Sequence, residues 1–327
     1  CRLGLAITNA PEFAQHEIGW VRTAVCGIFG AAAAACKILG LGEEEIVNAM
    51  GIALSQIGGT RQVVFDSALT KRIQPAFMAS AGITSALLAK RGVTGCTNVF
   101  EGDYGYFNLY WGGRYARSEL TEGLGERFEA DNLSFKPYPC CRYTHGAIDA
   151  TLRCAQRNGI SSDSVEEVTV HLVKHAFFEV VSRPFELRGN PSVDAQFSIP
   201  YTVASALLDG YVFLDSFEPE KVKGRAKNPL LKKVVVLRDE AIRDPTSLGP
   251  VIVEIKTKAG KIFSETVEEF KGHPKNTMTE EECRHKFLGC SGYSVKPFSK
   301  RTLDKIVEAV LRMETLCNTN TITGLLK

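Results

Sequence analysis

A chain of 327 residues, 44% hydrophobic and 23% charged, is long enough for two domains with a large core and has the balance of an ordinary globular protein. Its formal net charge of +2 argues against nucleic acid or an anionic membrane as the main partner, while leaving room for local basic clusters that hold a small anion. Ten cysteines in no C-x-x-C pair argue against a disulfide scaffold and against the common zinc and iron–sulfur spacings, and they point to a reducing compartment, here the cytoplasm. No signal peptide is evident, and the apolar run from Ala24 to Cys36 reads as too short to span a bilayer.

Residues 1–131 read as helical. The stretch from Thr23 to Leu41 is rich in Ala and Gly, so neighbouring helices can approach it closely, and Gly42 is expected to end it. Glu43, Glu44 and Glu45 then open a second helix that runs to about Ile57, its acids facing the positive helix end. A third is expected from Ser67 to Arg91. Packing against neighbours accounts for most residues of all three. Lys71 and Arg72 are the exception: two cations at the start of a largely apolar helix, just before Pro75, form either a solvated cap or an anion site. The Gly- and aromatic-rich stretch from Gly102 to Gly113 reads as a loop whose rings either pack in the core or line a pocket.

From about 132 the pattern changes. In FKPYPCCRYTH, residues 135–145, two prolines stiffen an extended segment that feeds a helix over 146–157. Lys136, Arg142 and His145 near that helix start suit a carboxylate or phosphate; the competing reading is a buried crossover with internally paired charges. Strands are expected over 165–173 and 232–238, a hairpin over 251–257 and 262–267, and a helix over 199–209 with Tyr201 at its start. His171 and His175 share a strand face, and with His16, His273 and His285 they show no metal-ligand spacing. An amphipathic helix from Thr302 to Leu316 presents Leu303, Ile306, Val307, Val310 and Leu311 on one face.

Six stretches taken together, ALTKRIQPAFMASAGITSALLAKRGVTG, EGDYGYFNLY, LTEGLGERFE, FKPYPCCRYTHGAIDA, AQFSIPYTVASALLDG and VEIKTKAGKIFSETV, closely resemble the MmgE/PrpD family along essentially the whole chain. The resemblance implies a fold of class α plus α+β. A large, discontinuous all-helical domain (1–131, with the C-terminal helices of 273–327 returning to it) would carry a smaller inserted α+β lid domain (132–272), usually in a homodimer. It implies Lys71, Lys136, Tyr201 and His145 as catalytic residues, with Arg72, Arg142 and Thr23 as substrate-binding residues in the cleft between domain and lid. It implies a small di- or tricarboxylate substrate and neither a metal nor an organic cofactor. The chemistry needs cations for the carboxylates, a base for a proton α to a carboxylate and an acid for the leaving group.

Elimination of water in the manner of 2-methylcitrate dehydratase is the leading expectation. Decarboxylation of cis-aconitate and epimerisation are its rivals, and a catalytically incomplete binding or dimerisation partner is the alternative of another class. Two departures support that last alternative. Val21 stands where the family commonly has His, and the family's N-terminal segment bearing Asp and His has no counterpart here. A mitochondrial location is the alternative to the cytoplasm if the source is eukaryotic and that segment carries a transit peptide.

Overall fold

The computed structural model describes residues 1–10, 19–173, 177–241 and 248–326; His16 and His175 lie outside the described residues. The N-terminal part holds α1 (Arg2–Thr8), α2 (Arg22–Leu39), α3 (Glu43–Leu54), α4 (Gln62–Phe65), α5 (Thr70–Lys90), α6 (Tyr106–Trp111) and α7 (Ser118–Thr121). The second part holds α8 (His145–Asn158), α9 (Phe178–Val181), α10 (Pro191–Gln196), α11 (Ile199–Asp209), α12 (Pro219–Arg225), α13 (Glu280–Ser291), α14 (Lys300–Leu311) and α15 (Asn320–Gly324). Its strands are β1 (Val165–Leu172), β2 (Val234–Arg238), β3 (Val251–Thr257) and β4 (Ile262–Val267). Helices and a small mixed sheet together give the α plus α+β class.

Helix α2 is the spine of the first part. Ala24, Val25, Ile28, Phe29, Ala32 and Cys36 form its buried stripe, against α3 and α5. By length and composition alone α2 could cross a membrane, contrary to the shorter span read from sequence, but its apolar stripe is occupied by this packing. The helix ends at Gly40, which takes the left-handed conformation (φ 66°) that a C-terminal cap requires. Gly42, expected as the stop, instead caps the start of α3, and its N–H donates to Glu45 Oε2 at 2.8 Å. The small residues do bring helices together: a Cβ on Gly82 of α5 would lie 2.5 Å from the Ile28 carbonyl and 2.7 Å from the Ala31 Cβ. We therefore expect Gly82→Ala to force α2 and α5 apart and cost about 1–3 kcal/mol, read as a lowered urea midpoint with an unchanged slope.

The aromatic stretch 102–113 forms α6, closed by Gly112 at φ 61°. Tyr106, Phe107 and Trp111 are buried, and Tyr106 meets Phe29 edge-on at 5.1 Å between ring centroids. Core packing, not pocket lining, is what these rings do.

The sheet of the second part has the order β2-β1-β3-β4. β1 runs parallel to β2 (Val168 beside Val234) and antiparallel to β3, and β3 and β4 form the expected hairpin. Alternation along β3 buries Val251, Val253, Ile255 and Thr257, and α8 and α11 pack on the sheet. Helix α8 approaches so closely that a Cβ on Gly146 would lie 2.6 Å from the Val251 Cγ2. His171 of β1 faces Glu254 of β3 at 3.6 Å.

The two ends of the 132–272 segment meet, with the Phe135 N–H donating to the Gly272 carbonyl at 2.8 Å. Helix α13 packs on this unit: Lys286 Nζ donates to the Lys136 carbonyl, Lys271 pairs with Glu282 at 2.8 Å, and Tyr293 meets Phe213. A return of α13 to the helical domain is not among its described contacts. α14 starts at the Ser299 cap and ends at Leu311, short of the expected Leu316, and of its apolar face Ile306 alone is buried.

Candidate active site

The functional candidates gather where the start of α5 meets α10 and the 136–141 segment. Ser67, just before α5, is buried with φ 53°, an uncommon conformation for a residue with a side chain. It is held from the other domain: its hydroxyl donates to Asp194 Oδ1 of α10, while the Arg188 N–H donates to Asp194 Oδ2 at 2.9 Å. The Asn190 N–H reaches the Ser67 carbonyl at 3.3 Å. This clasp fixes where α5 begins. Helix α5 then starts at Thr70, so Pro75 lies inside it, beyond the first turn in which a proline is readily tolerated. Lacking an N–H, Pro75 removes the hydrogen bond that the Lys71 carbonyl would otherwise accept.

Lys71 is half-buried at that helix start. Burial is the main cause that pulls its ammonium below the ordinary lysine range; Lys136 adds to the effect, and the Cys141 thiol opposes it. Lys136 is exposed, and its Nζ donates to the Cys140 carbonyl at 2.8 Å. Arg72 reaches across to Gln196 Oε1 at 3.0 Å. Lys71 and Lys136 are thus close enough at the junction of the two parts to feel each other's charge, with Cys141 beside them, while Arg72 reaches the same junction through Gln196.

Four other expected residues sit elsewhere or do something else. Tyr201 is 0% exposed, packed on Phe185 and Phe217, and its hydroxyl donates to the Ser216 carbonyl at 2.5 Å. Burial pushes its pKa up, so this arrangement gives a structural tyrosine that does not face Lys71. Arg142 donates to the Phe135 carbonyl at 2.5 Å and the Ser134 carbonyl at 3.3 Å, with its guanidinium 5.0 Å over the Phe270 ring. It ties the start of the 132–272 segment together and is not presented to an anion. Thr23 is exposed in the first turn of α2; among the described residues no hydrogen bond joins it to Lys71 or Lys136. Val21, the residue at the family's histidine place, is buried and gives its N–H to the Gly59 carbonyl at 2.9 Å.

His145 is 0% exposed and edge-on to Tyr138 and Phe270; neither ring nitrogen makes a well-formed hydrogen bond, and the Cys140 backbone offers it a weak one. Burial, with Arg142, Lys136 and Lys286 close by, pushes its pKa down to about 2. At neutral pH it is not an imidazolium, so of the two proton-transfer roles open to a catalytic histidine that of acid does not fit. The adjacent cysteines are buried thiols, Cys140 pushed up to about 12 by burial.

Residues that sequence reasoning passed over are Ser67, Asp194 and Gln196. Asp194 and Gln196 are in or beside AQFSIPY, whose spacing drew attention to Tyr201; a polar residue two and four positions before a helix cap was the available signal. Among the described residues no group of three or more His, Cys, Asp or Glu stands close enough to hold a metal ion. A cavity of about 720 Å³ is lined by Pro137, Tyr138, Phe213, Lys271, His285 and Lys286 among others. Lys71, Arg72 and Lys136 are not among its lining residues.

The chain matches the MmgE/PrpD N-terminal domain over residues 1–119 and the MmgE/PrpD C-terminal domain over residues 138–312. Among similar proteins are the cis-aconitate decarboxylase-like protein oryM of Aspergillus oryzae (29% identical over 99% of this chain and 68% of that one) and the cis-aconitate decarboxylase of Mus musculus (26%, 93% and 61%). The 2-methylcitrate dehydratase of Salmonella typhimurium is 25% identical over 74% of this chain and 52% of that one. The chain therefore spans between about half and two thirds of the length of these relatives. With both family domains matched in order along it, the chain belongs to the MmgE/PrpD family.

Proposed function

We propose that this protein is a lyase acting on a small di- or tricarboxylate, and that it works without a metal or organic cofactor. The observation that carries the reading is the proximity of Lys71 and Lys136 at the junction of the two parts, Lys71 half-buried with a lowered pKa, with Arg72 bonded to Gln196 at the same junction. Cations so placed neutralise carboxylates in a partly desolvated setting, where each charge counts for more than it does in water. A lysine whose pKa is lowered by burial gives up its proton more readily than an ordinary one, which suits proton transfer.

Of the possible reactions, decarboxylation is now favoured over elimination of water. The relatives named for decarboxylation match more of the chain, at slightly higher identity, than the dehydratase does. In such a step the C–C bond to one carboxylate breaks and its electron pair moves onto carbon, in conjugation with a second carboxylate. Lys136 and Arg72 would hold that developing charge, and Lys71 in its ammonium form would return a proton to carbon. A homodimer in the cytoplasm, with 132–272 closing as a lid, completes the proposal for the full-length protein.

Full-length protein incubated separately with cis-aconitate, citrate and 2-methylcitrate and followed by proton NMR is the test. Loss of cis-aconitate with release of carbon dioxide supports decarboxylation, and loss of 2-methylcitrate with its methyl doublet replaced by the singlet of a methyl on a double bond favours elimination. All three substrates unchanged would sink the lyase reading and favour a binding partner, for which Val21 is the supporting residue.

A further inference from the structure

Gln196 is the last residue of α10 and is half-buried between the two parts. Every polar group it offers across the junction is used. Its Oε1 accepts from Arg72 Nη2 at 3.0 Å, its Nε2 donates to the Pro139 carbonyl at 2.9 Å, and its main-chain carbonyl accepts from the Cys141 N–H at 2.8 Å. The first bond holds the helix turn that carries Lys71. The other two hold the segment whose first turn carries Lys136, and Lys136 is itself fixed to the Cys140 carbonyl between those two anchor points. One side chain therefore spans both lysine-bearing elements, which come from different parts of the fold and are 65 residues apart in sequence.

We propose that Gln196 is a positioning residue that sets the separation of Lys71 and Lys136, holding two like charges at the distance a polycarboxylate bridges. The inference rests on the reading of these lysines as the carboxylate-binding pair. Two ammonium groups left to themselves move apart, since like charges repel and each gains hydration by doing so. A neutral amide suits the task. It satisfies a guanidinium on one side and a carbonyl on the other without adding a carboxylate that would compete with substrate for the cations. Geometry of this kind is worth more to the reacting state than to simple binding, because a displacement of an ångström costs orders of magnitude in rate.

The test uses full-length protein with ¹³C-methylated lysines, the Lys71 signal being assigned by its loss in Lys71→Arg. The titration midpoint of Lys71 is compared in wild type, Gln196→Met and Gln196→Ala. Ser192→Ala serves as the structural control, because Ser192 is on the same helix and its hydroxyl bonds the Phe217 carbonyl at 2.7 Å, away from the lysines. The Lys71 midpoint is expected to rise by roughly half a unit in both Gln196 variants as Lys136 withdraws, and to stay put in Ser192→Ala even though its thermal midpoint falls. Turnover in the Gln196 variants is expected to drop about tenfold in kcat with a smaller change in KM. A Lys71 midpoint unchanged in folded Gln196→Met and Gln196→Ala, or moved as far in Ser192→Ala, overturns the positioning role. Since the titration needs no turnover, a shifted midpoint in a protein inert toward every polycarboxylate would uphold the positioning and defeat the lyase reading instead.

Discussion

Replacing Lys71 by Ala is expected to lower kcat/KM by about 10²–10³-fold, the loss usual when one preorganised charge is taken from a developing anion. Lys71→Arg separates the two duties assigned to it. A guanidinium keeps the charge but does not give up its proton at any working pH. If Lys71 both binds and returns a proton, Arg restores substrate affinity and leaves kcat low. If it merely binds, Arg restores much of both. The lowered pKa also fixes the pH behaviour. The ammonium form is lost as pH rises through a value below the ordinary lysine range, so activity that needs the ammonium declines on the alkaline side earlier than a free lysine would allow. That limb is expected in wild type and absent from the residual activity of Lys71→Arg.

His145 should set a large part of the acid sensitivity of the fold. In the unfolded chain its imidazole takes up a proton below about 6.5, whereas in the folded protein burial defers protonation to about 2. Between those values the unfolded state binds one more proton than the folded state. Stability therefore falls as pH falls, by about 1.4 kcal/mol per pH unit from this group. Chemical unfolding of wild type and His145→Phe at pH 6.5, 5.5 and 4.5 reads the effect as a difference, which cancels the other titrating groups. The variant should gain about 2 kcal/mol on the wild type between the first and last pH, a little less than two full units of slope because the unfolded imidazole is half protonated at pH 6.5. At neutral pH Phe should be tolerated between Tyr138 and Phe270, because it removes two buried nitrogens that make no well-formed hydrogen bond. Parallel curves would mean that the imidazole is protonated or solvated in the folded state.

Period and spacing made most of the architecture legible. The strand alternation, the hairpin and the Ala- and Gly-rich helix all rest on local patterns that survive folding. Boundaries failed where two residues of one type competed for a cap. Gly40 and Gly42 are both plausible stops for α2, and the left-handed geometry at Gly40 decides between them. Pro75 was expected near a helix start, and its place inside α5 depends on a clasp between Ser67 and Asp194 that no local rule foresees.

In the site, the cations were legible as residue types but not in their pairings. Arg72 and Arg142 look alike in sequence, yet one reaches Gln196 across the junction and the other is spent on backbone carbonyls and the Phe270 face. Tyr201 and His145 belong to the most distinctive stretches of the chain, and both are sealed in the core of the second part. Motif strength did not distinguish a residue that meets a ligand from one that holds the scaffold, because both kinds recur at fixed spacing.

Binding of a saturated tricarboxylate that cannot react, propane-1,2,3-tricarboxylate, tests the central claim most directly. Calorimetric titration of the full-length protein is predicted to give saturable binding that weakens with added salt, and Lys71→Ala and Lys136→Ala are each predicted to lose it, at unchanged thermal midpoints. Equal affinity in wild type and both variants would contradict the assignment of these lysines as the carboxylate site.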